Sequence, residues 1–291
     1  MNTLSVPLFD LKTAWPSHRC TTIQDYLKLA DGKRDLAGHP HAFRGVGRQF
    51  CNLRATFDRH KMPDTNPVEI ETRLIEEFLL CAWNDLKPQE RYRFLRSKAR
   101  WGKTRNTAAL VVARHRGVPT RCVDWSHCPL VALFFACERD SECDGEVWWF
   151  DLTEFERFVE VQWPALFAKH GHVEAVIEQD FIAGVEARWL TALHYELLPD
   201  DRPERQRAWI TVTGRLGTCH AEEIHLLDVC RKGRLVIPAE LKPEAIQLLE
   251  QLGITKQSLG FCGGDPADKI ATRIREKFEN DFPIKTCPTL C

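Results

Sequence analysis

The sequence predicts an α+β fold, and three observations carry that assignment. Helix-like runs with apolar residues at three- and four-residue intervals fall mostly in the first half, while strand-like runs are scattered and late. No strand, helix, strand alternation recurs, so parallel βαβ units are not expected. Residues 130–137 (LVALFFAC) form a helix without a polar face, which makes this segment core. The expected architecture is a helical N-terminal part packed on a small mixed or antiparallel sheet. With no internal repeat, low-complexity stretch or long linker, residues 1–291 read as one domain.

In chain order, residues 21–36 read as a helix opened by Thr22, and residues 42–46 as a short strand carrying Arg44. Residues 68–86 are an amphipathic helix whose carboxylates read as a solvated face. Residues 91–105 (RYRFLRSKARWGKTR) interleave basic side chains with Tyr92, Phe94 and Trp101. Such a run can grip single-stranded nucleic acid. At helical spacing Tyr92, Leu95 and Ala99 point one way, so the run also reads as a helix docked by that stripe. Gly102-Lys103-Thr104 lacks the upstream glycine and strand of a phosphate loop. Residues 107–115 are a buried helix stopped by Gly117 and Pro119, followed by a strand at 120–123. Asp124 or Ser126 is placed to cap the next helix, with Pro129 near its start. Later, residues 145–152, 208–213, 223–229 and 233–237 read as strands, 155–172 as irregular, 173–198 as ambiguous and 199–207 as a polar loop. Residues 243–252, ended by Gly253, and 269–278 are the last helices.

Composition sets limits. The 291 residues carry 40 basic and 41 acidic side chains, a net charge of −1, so any basic site is local rather than a property of the whole field. No stretch has the length of a membrane span, and the N-terminus lacks a signal-peptide pattern, which points to a cytoplasmic protein without a membrane partner. Among 12 cysteines no pair has zinc-ligand spacing, so no metal site is expected and the thiols read as reduced and structural.

The densest chemistry lies in residues 113–136, ARHRGVPTRCVDWSHCPLVALFFA. His115, Arg121, Asp124, Trp125 and Ser126 should cluster at the rim of the buried centre. There His115 and Asp124 suit an acid/base pair, since a carboxylate that orients an imidazole fixes which nitrogen holds the proton. The structural alternative is that His115 bonds a backbone carbonyl while Arg121 and Asp124 pair to hold the turn. The string resembles the signature of the FRG-domain family, with His115, Gly117, Pro119, Thr120, Arg121, Asp124, Trp125, Pro129, Ala132, Leu133, Phe135 and Ala136 in register. Arg114, Cys122 and Ser126 stand where the family usually has Gln, Leu and Thr. Phe43-Arg44-Gly45 supplies the triplet that names the family, which marks residues 42–137 as the FRG core and 138–291 as the variable remainder of the same domain.

The order of Arg44 on a strand, a serine-bearing strand end and an apolar helix is also similar, at the level of layout, to ADP-ribosyltransferases. That resemblance implies NAD as a substrate, Arg44 and Ser126 as NAD-holding residues, and Glu222 or Glu223 as the carboxylate acting on the ribose, with Glu223 the preferred candidate. Arg121 would help bind the substrate, and Trp125 or Trp101 would stack on a flat ring. The implied protein is an NAD- or nucleotide-directed enzyme, a transferase or an NAD glycohydrolase, serving as an effector in bacterial anti-phage defence with a protein or nucleic-acid target. The alternatives are a nucleic-acid or nucleotide binding module built on residues 91–105, or a partner-binding scaffold without catalysis.

Overall fold

The computed structural model describes residues 14–31, 41–48, 53–61, 66–101, 107–164, 190–193, 202–261 and 264–284. They form an α+β structure around one mixed sheet. Its strands are β1 (Ser17–Arg19), β2 (His41–Val46), β3 (Cys122–Ser126), β4 (Gly145–Asp151), β5 (Leu190–Leu193), β6 (Ala208–Thr213) and β7 (Lys232–Ile237). Their order is β1-β7-β4-β2-β3-β6-β5, and only the β1–β7 pair is parallel. The pairing is uneven. β2 runs in register with β4 from His41↔Asp151 to Val46↔Glu146, and β3 with β6 from Cys122↔Val212 to Ser126↔Ala208. Between β2 and β3 the one registered pair is Phe43↔Ser126. Beyond that rung the sheet forks into two leaves.

The helices are α1 (Ile23–Asp31), α2 (Pro67–Ala82), α3 (Pro88–Trp101), α4 (Thr107–Arg116), α5 (Pro129–Cys137), α6 (Leu152–Gln162), α7 (Arg202–Arg205), α8 (His220–Leu226), α9 (Lys242–Gln251) and α10 (Pro266–Asp281). Helices α1, α5 and α9 cover the face that bears Phe43, Val147, Trp149 and Leu235. The opposite face, with Val123, Trp125, Trp148, Phe150 and Trp209, packs on α6 and α8. A third apolar cluster joins α2, α3, α4 and α10 around Cys122, Ile210 and Val212, so the early helical part is completed by a helix from residues 266–281.

Local chemistry explains the boundaries. Thr22 accepts from Asp25 N–H to start α1, Asn66 caps α2 ahead of Pro67, and Asp265 does the same for α10 ahead of Pro266. Helix α4 ends as expected. Gly117 has φ +98°, its N–H reaches the Arg114 carbonyl, and Val118 N–H reaches Ala113, which closes the last turn through a conformation that glycine adopts freely. The Ser126 hydroxyl accepts from Cys128 N–H just before Pro129, while Asp124 takes no part in starting α5.

Several expectations are corrected. Residues 223–229 do not form a strand. His220, Ala221, Glu223 and Ile224 are buried on one side of α8, a helical spacing. The stretch expected to be irregular begins inside α6, which Asp151 caps and which buries Leu152, Phe155 and Val159 at intervals of three and four. The polar loop at 199–207 contains the short α7. On α3 two residues of the expected docking stripe face outward, Tyr92 at 59 % and Leu95 at 51 % exposed; Phe94 and Glu90 point inward. The reason is Glu90, whose carboxylate is held by Arg116 at 2.8 and 2.6 Å and fixes the rotation of α3. Residues 32–40 and most of 173–198 lie outside the described residues.

Candidate functional site

Arg44 is the residue after the last rung between the two leaves. Because side chains alternate along a strand, Arg44 shares its face with Ala42, Val46 and its β4 partner Trp148, whereas Phe43 and Ser126 face the other way. The glycine that follows has a structural cause. A Cβ at Gly45 would lie 1.8 Å from the Ala132 carbonyl oxygen and 2.7 Å from Ala136 N, because α5 rests directly on this strand. Small residues at Ala132 and Ala136, one turn apart, permit that approach.

In the fork the Arg44 guanidinium donates to the backbone carbonyl of Asp124 at 2.5 Å. The Asp124 carboxylate is held instead by Arg114, from Nε at 2.9 Å and Nη2 at 2.6 Å, while Arg114 Nη1 donates to the Thr56 hydroxyl at 2.8 Å. Two buried atoms remain without a partner, Arg44 Nε and Asp124 Oδ1. Burial pushes the Arg44 guanidinium down to about 9; Asp124 opposes this, and Arg114 and Arg59 add to it. Burial works against ionising Asp124, but Arg114, His115 and Arg44 outweigh it and hold the carboxyl below its ordinary range. At neutral pH the cluster is therefore fully ionised, with Arg44 and Arg114 sharing one carboxylate. The Asp124 side chain keeps 31 % of its surface exposed, so solvent reaches the fork.

The other expected site residues go elsewhere. Arg121 is 2 % exposed and is clamped by Glu71, with Nε at 2.8 Å and Nη2 at 2.7 Å; it also donates to the Gly214 carbonyl at 2.6 Å. The Arg121–Asp124 pair of the structural alternative does not form. Glu71, expected on a solvated face, is wholly buried. Its position is legible on the α2 wheel, where it aligns with Val68, Ile75 and Phe78. Ser126 donates to the Gln206 carbonyl at 2.7 Å on the face away from Arg44. Trp125 is buried against Phe150 and Trp209 and donates to Thr211, whose hydroxyl meets Nδ1 of the buried His220. His115 stands in the last turn of α4, near enough to help ionise Asp124. Glu223, on α8 rather than on a strand, lines a cleft of about 390 Å³ with Gln162, Trp163, Leu226 and Leu227. The Trp101 side chain lies outside the described residues.

Sequence reasoning missed Arg114 and Thr56. Arg114 was noted only as a departure from a resemblance, and Thr56 carries no motif; both matter because the segment at 53–60 threads beside the fork, with Phe57 N–H bonded to the Thr120 carbonyl. Among the described residues no group of His, Cys, Asp and Glu is arranged to hold a metal ion, and no helix is long and apolar enough to cross a membrane.

Comparison with curated proteins gives no match, and comparison with solved structures gives none. Residues 39–145 match the FRG domain, a span that contains Arg44, Arg114, Asp124, the fork and the whole of α5. The chain carries an FRG domain over residues 39–145.

Proposed function

We propose that the fork is a nucleotide site and that the protein is an NAD- or nucleotide-directed enzyme of ADP-ribosyltransferase type. The observation that carries this is the pair of orphaned buried atoms, Arg44 Nε and Asp124 Oδ1, on two residues that the Arg44 bond to the Asp124 carbonyl joins at the fork. A buried donor and a buried acceptor left unmade each cost about 1–3 kcal/mol, and a ligand with an anionic group and a hydroxyl satisfies both. A nucleoside diphosphate has both. Arg44 then binds a phosphate oxygen and Asp124 accepts from a ribose hydroxyl. Cleaving the nicotinamide–ribose bond leaves positive charge on the sugar, which the ionised Asp124 stabilises as nicotinamide departs with the bonding electrons; water, or a nucleophile of the target, then bonds to that carbon and gives its proton to solvent. The forked sheet with an arginine at its crotch supports the likeness in layout. In this reading Asp124 takes the carboxylate role, while Glu223 lies on α8 and lines the cleft beside Trp163. The effector role in bacterial anti-phage defence, inside the cytoplasm, rests on the family resemblance.

The test is release of nicotinamide from NAD by the purified protein, alone and with cell extract as a source of target. Arg44→Ala should reduce release by about 10²-fold or more while leaving the fold intact by circular dichroism. Release that is absent throughout, or unaffected by Arg44→Ala, rejects the enzyme.

One observation favours a second reading, nucleic-acid binding through α3. The helix turns Tyr92 and Leu95 to solvent, and its sequence adds Arg91, Arg93, Arg96, Lys98 and Arg100 against a single acidic residue, the buried Glu90. Single-stranded RNA or DNA should then bind with affinity that falls steeply with salt, and Tyr92→Ala should weaken it by about 1–3 kcal/mol. A flat salt response in a fluorescence titration excludes this reading.

A further inference from the structure

We propose that Arg114 is a positioning residue that keeps Arg44 available for a phosphate by holding the Asp124 carboxylate away from it. This rests on the reading of the fork as a nucleotide site. In most protein interiors an arginine beside an aspartate pairs with the carboxylate, since a charge-assisted bond is about twice as strong as one to a neutral oxygen. Arg44 does not. Its contact with Asp124 is to the backbone carbonyl, because Arg114 already takes Asp124 Oδ2 through two nitrogens and is itself anchored to Thr56. The outcome is a guanidinium buried beside a neutralised carboxylate, with Nε unmatched and a net positive charge in the fork. An anion of phosphate type meets that charge. Without Arg114, Asp124 would turn its freed oxygen to Arg44 and the site would close on itself as a neutral pair.

Charge arithmetic across four proteins tests this. Counting Arg44, Arg114 and Asp124, the wild type carries +1, Arg114→Gln carries 0, Asp124→Asn carries +2, and the double variant returns to +1. Affinity for inorganic pyrophosphate, measured by calorimetry on the whole chain, should fall about tenfold in Arg114→Gln and recover in the double variant. Asp124→Asn should bind at least as tightly as the wild type. Arg114→Lys, which keeps the charge, should retain most of the affinity, and it decides the matter if Arg114→Gln melts early.

A scaffolding role for Arg114 predicts the reverse, a double variant no better than Arg114→Gln, and that result overturns the proposal. So does a wild type that fails to bind pyrophosphate. The outcome is separable from that of the nicotinamide assay. Pyrophosphate affinity that follows the charge series without NAD turnover leaves the positioning role standing and removes the enzyme. Arg44-dependent turnover with a flat series does the opposite.

Discussion

At the scale of single residues, the FRG signature divides into groups that hold the fold and groups that face the fork. Arg121 belongs to the first. Its pairing with Glu71 is buried on both sides, and removing one member of such a pair leaves an uncompensated charge that costs about 3–5 kcal/mol. Asp58 sits close to the same pair and accepts from Gly217 N–H at 2.7 Å. Burial raises its carboxyl to about 7, with the Gly217 bond and Arg121 opposing and Glu71 reinforcing the rise. A folded-state value above the unfolded one means that the native protein binds the extra proton. The stabilisation is complete below the unfolded value and disappears as pH rises through about 7. Chemical denaturation midpoints should therefore decline for the wild type between about pH 4 and about pH 7, and Asp58→Asn, which keeps the acceptor for Gly217, should remove that part of the slope. Identical slopes would show that Asp58 does not titrate in this window. Arg44 was legible in the sequence because a short strand with a lone arginine precedes a glycine. Arg114 and Thr56 were not, since Arg114 meets Asp124 and Thr56 meets Arg114 only through the tertiary fold, which no local pattern announces.

At the scale of elements, the contact between α5 and β2 leaves no room for a side chain at Gly45. The helix was legible because it has no polar face, and the strand because it is short and carries a lone arginine ahead of glycine. Their distance of approach was not, although glycine in the triplet and alanines four apart on the helix are its imprint. Gly45→Ala should push α5 off the strand and cost about 3 kcal/mol, seen as a lower midpoint in urea. A loss below about 1 kcal/mol would mean that the helix slides without penalty. Helix α8 failed as a sequence reading for a physical reason. In residues 223–229 apolar positions fit both periods, and the burial of Ala221 and Ile224 against the β6 and β3 face decides for the helix. Helix α3 failed through rotation, since one buried salt bridge at Glu90 outweighed a stripe of three modest apolar residues.

At the scale of the molecule, α+β architecture was legible from the distribution of periodicities, whereas the sheet order was not. Strands that are neighbours in space are far apart in sequence, as with β4 and β7 or β3 and β6. Arg116 shows the same long reach. It binds Glu90 on α3 and both Asp265 and Asp268 at the start of α10, and Arg202 shares Asp268. This has a consequence for how the protein can be cut. The matched span stops at residue 145, at the first residue of β4, while the partners of that strand and of β3 come from residues 208–237. A fragment trimmed to the similarity boundary would carry raw strand margins, prone to stick to one another, and an unmoored helical bundle. The matched stretch is thus a recognisable passage of the text, while the smallest piece able to stand alone is longer.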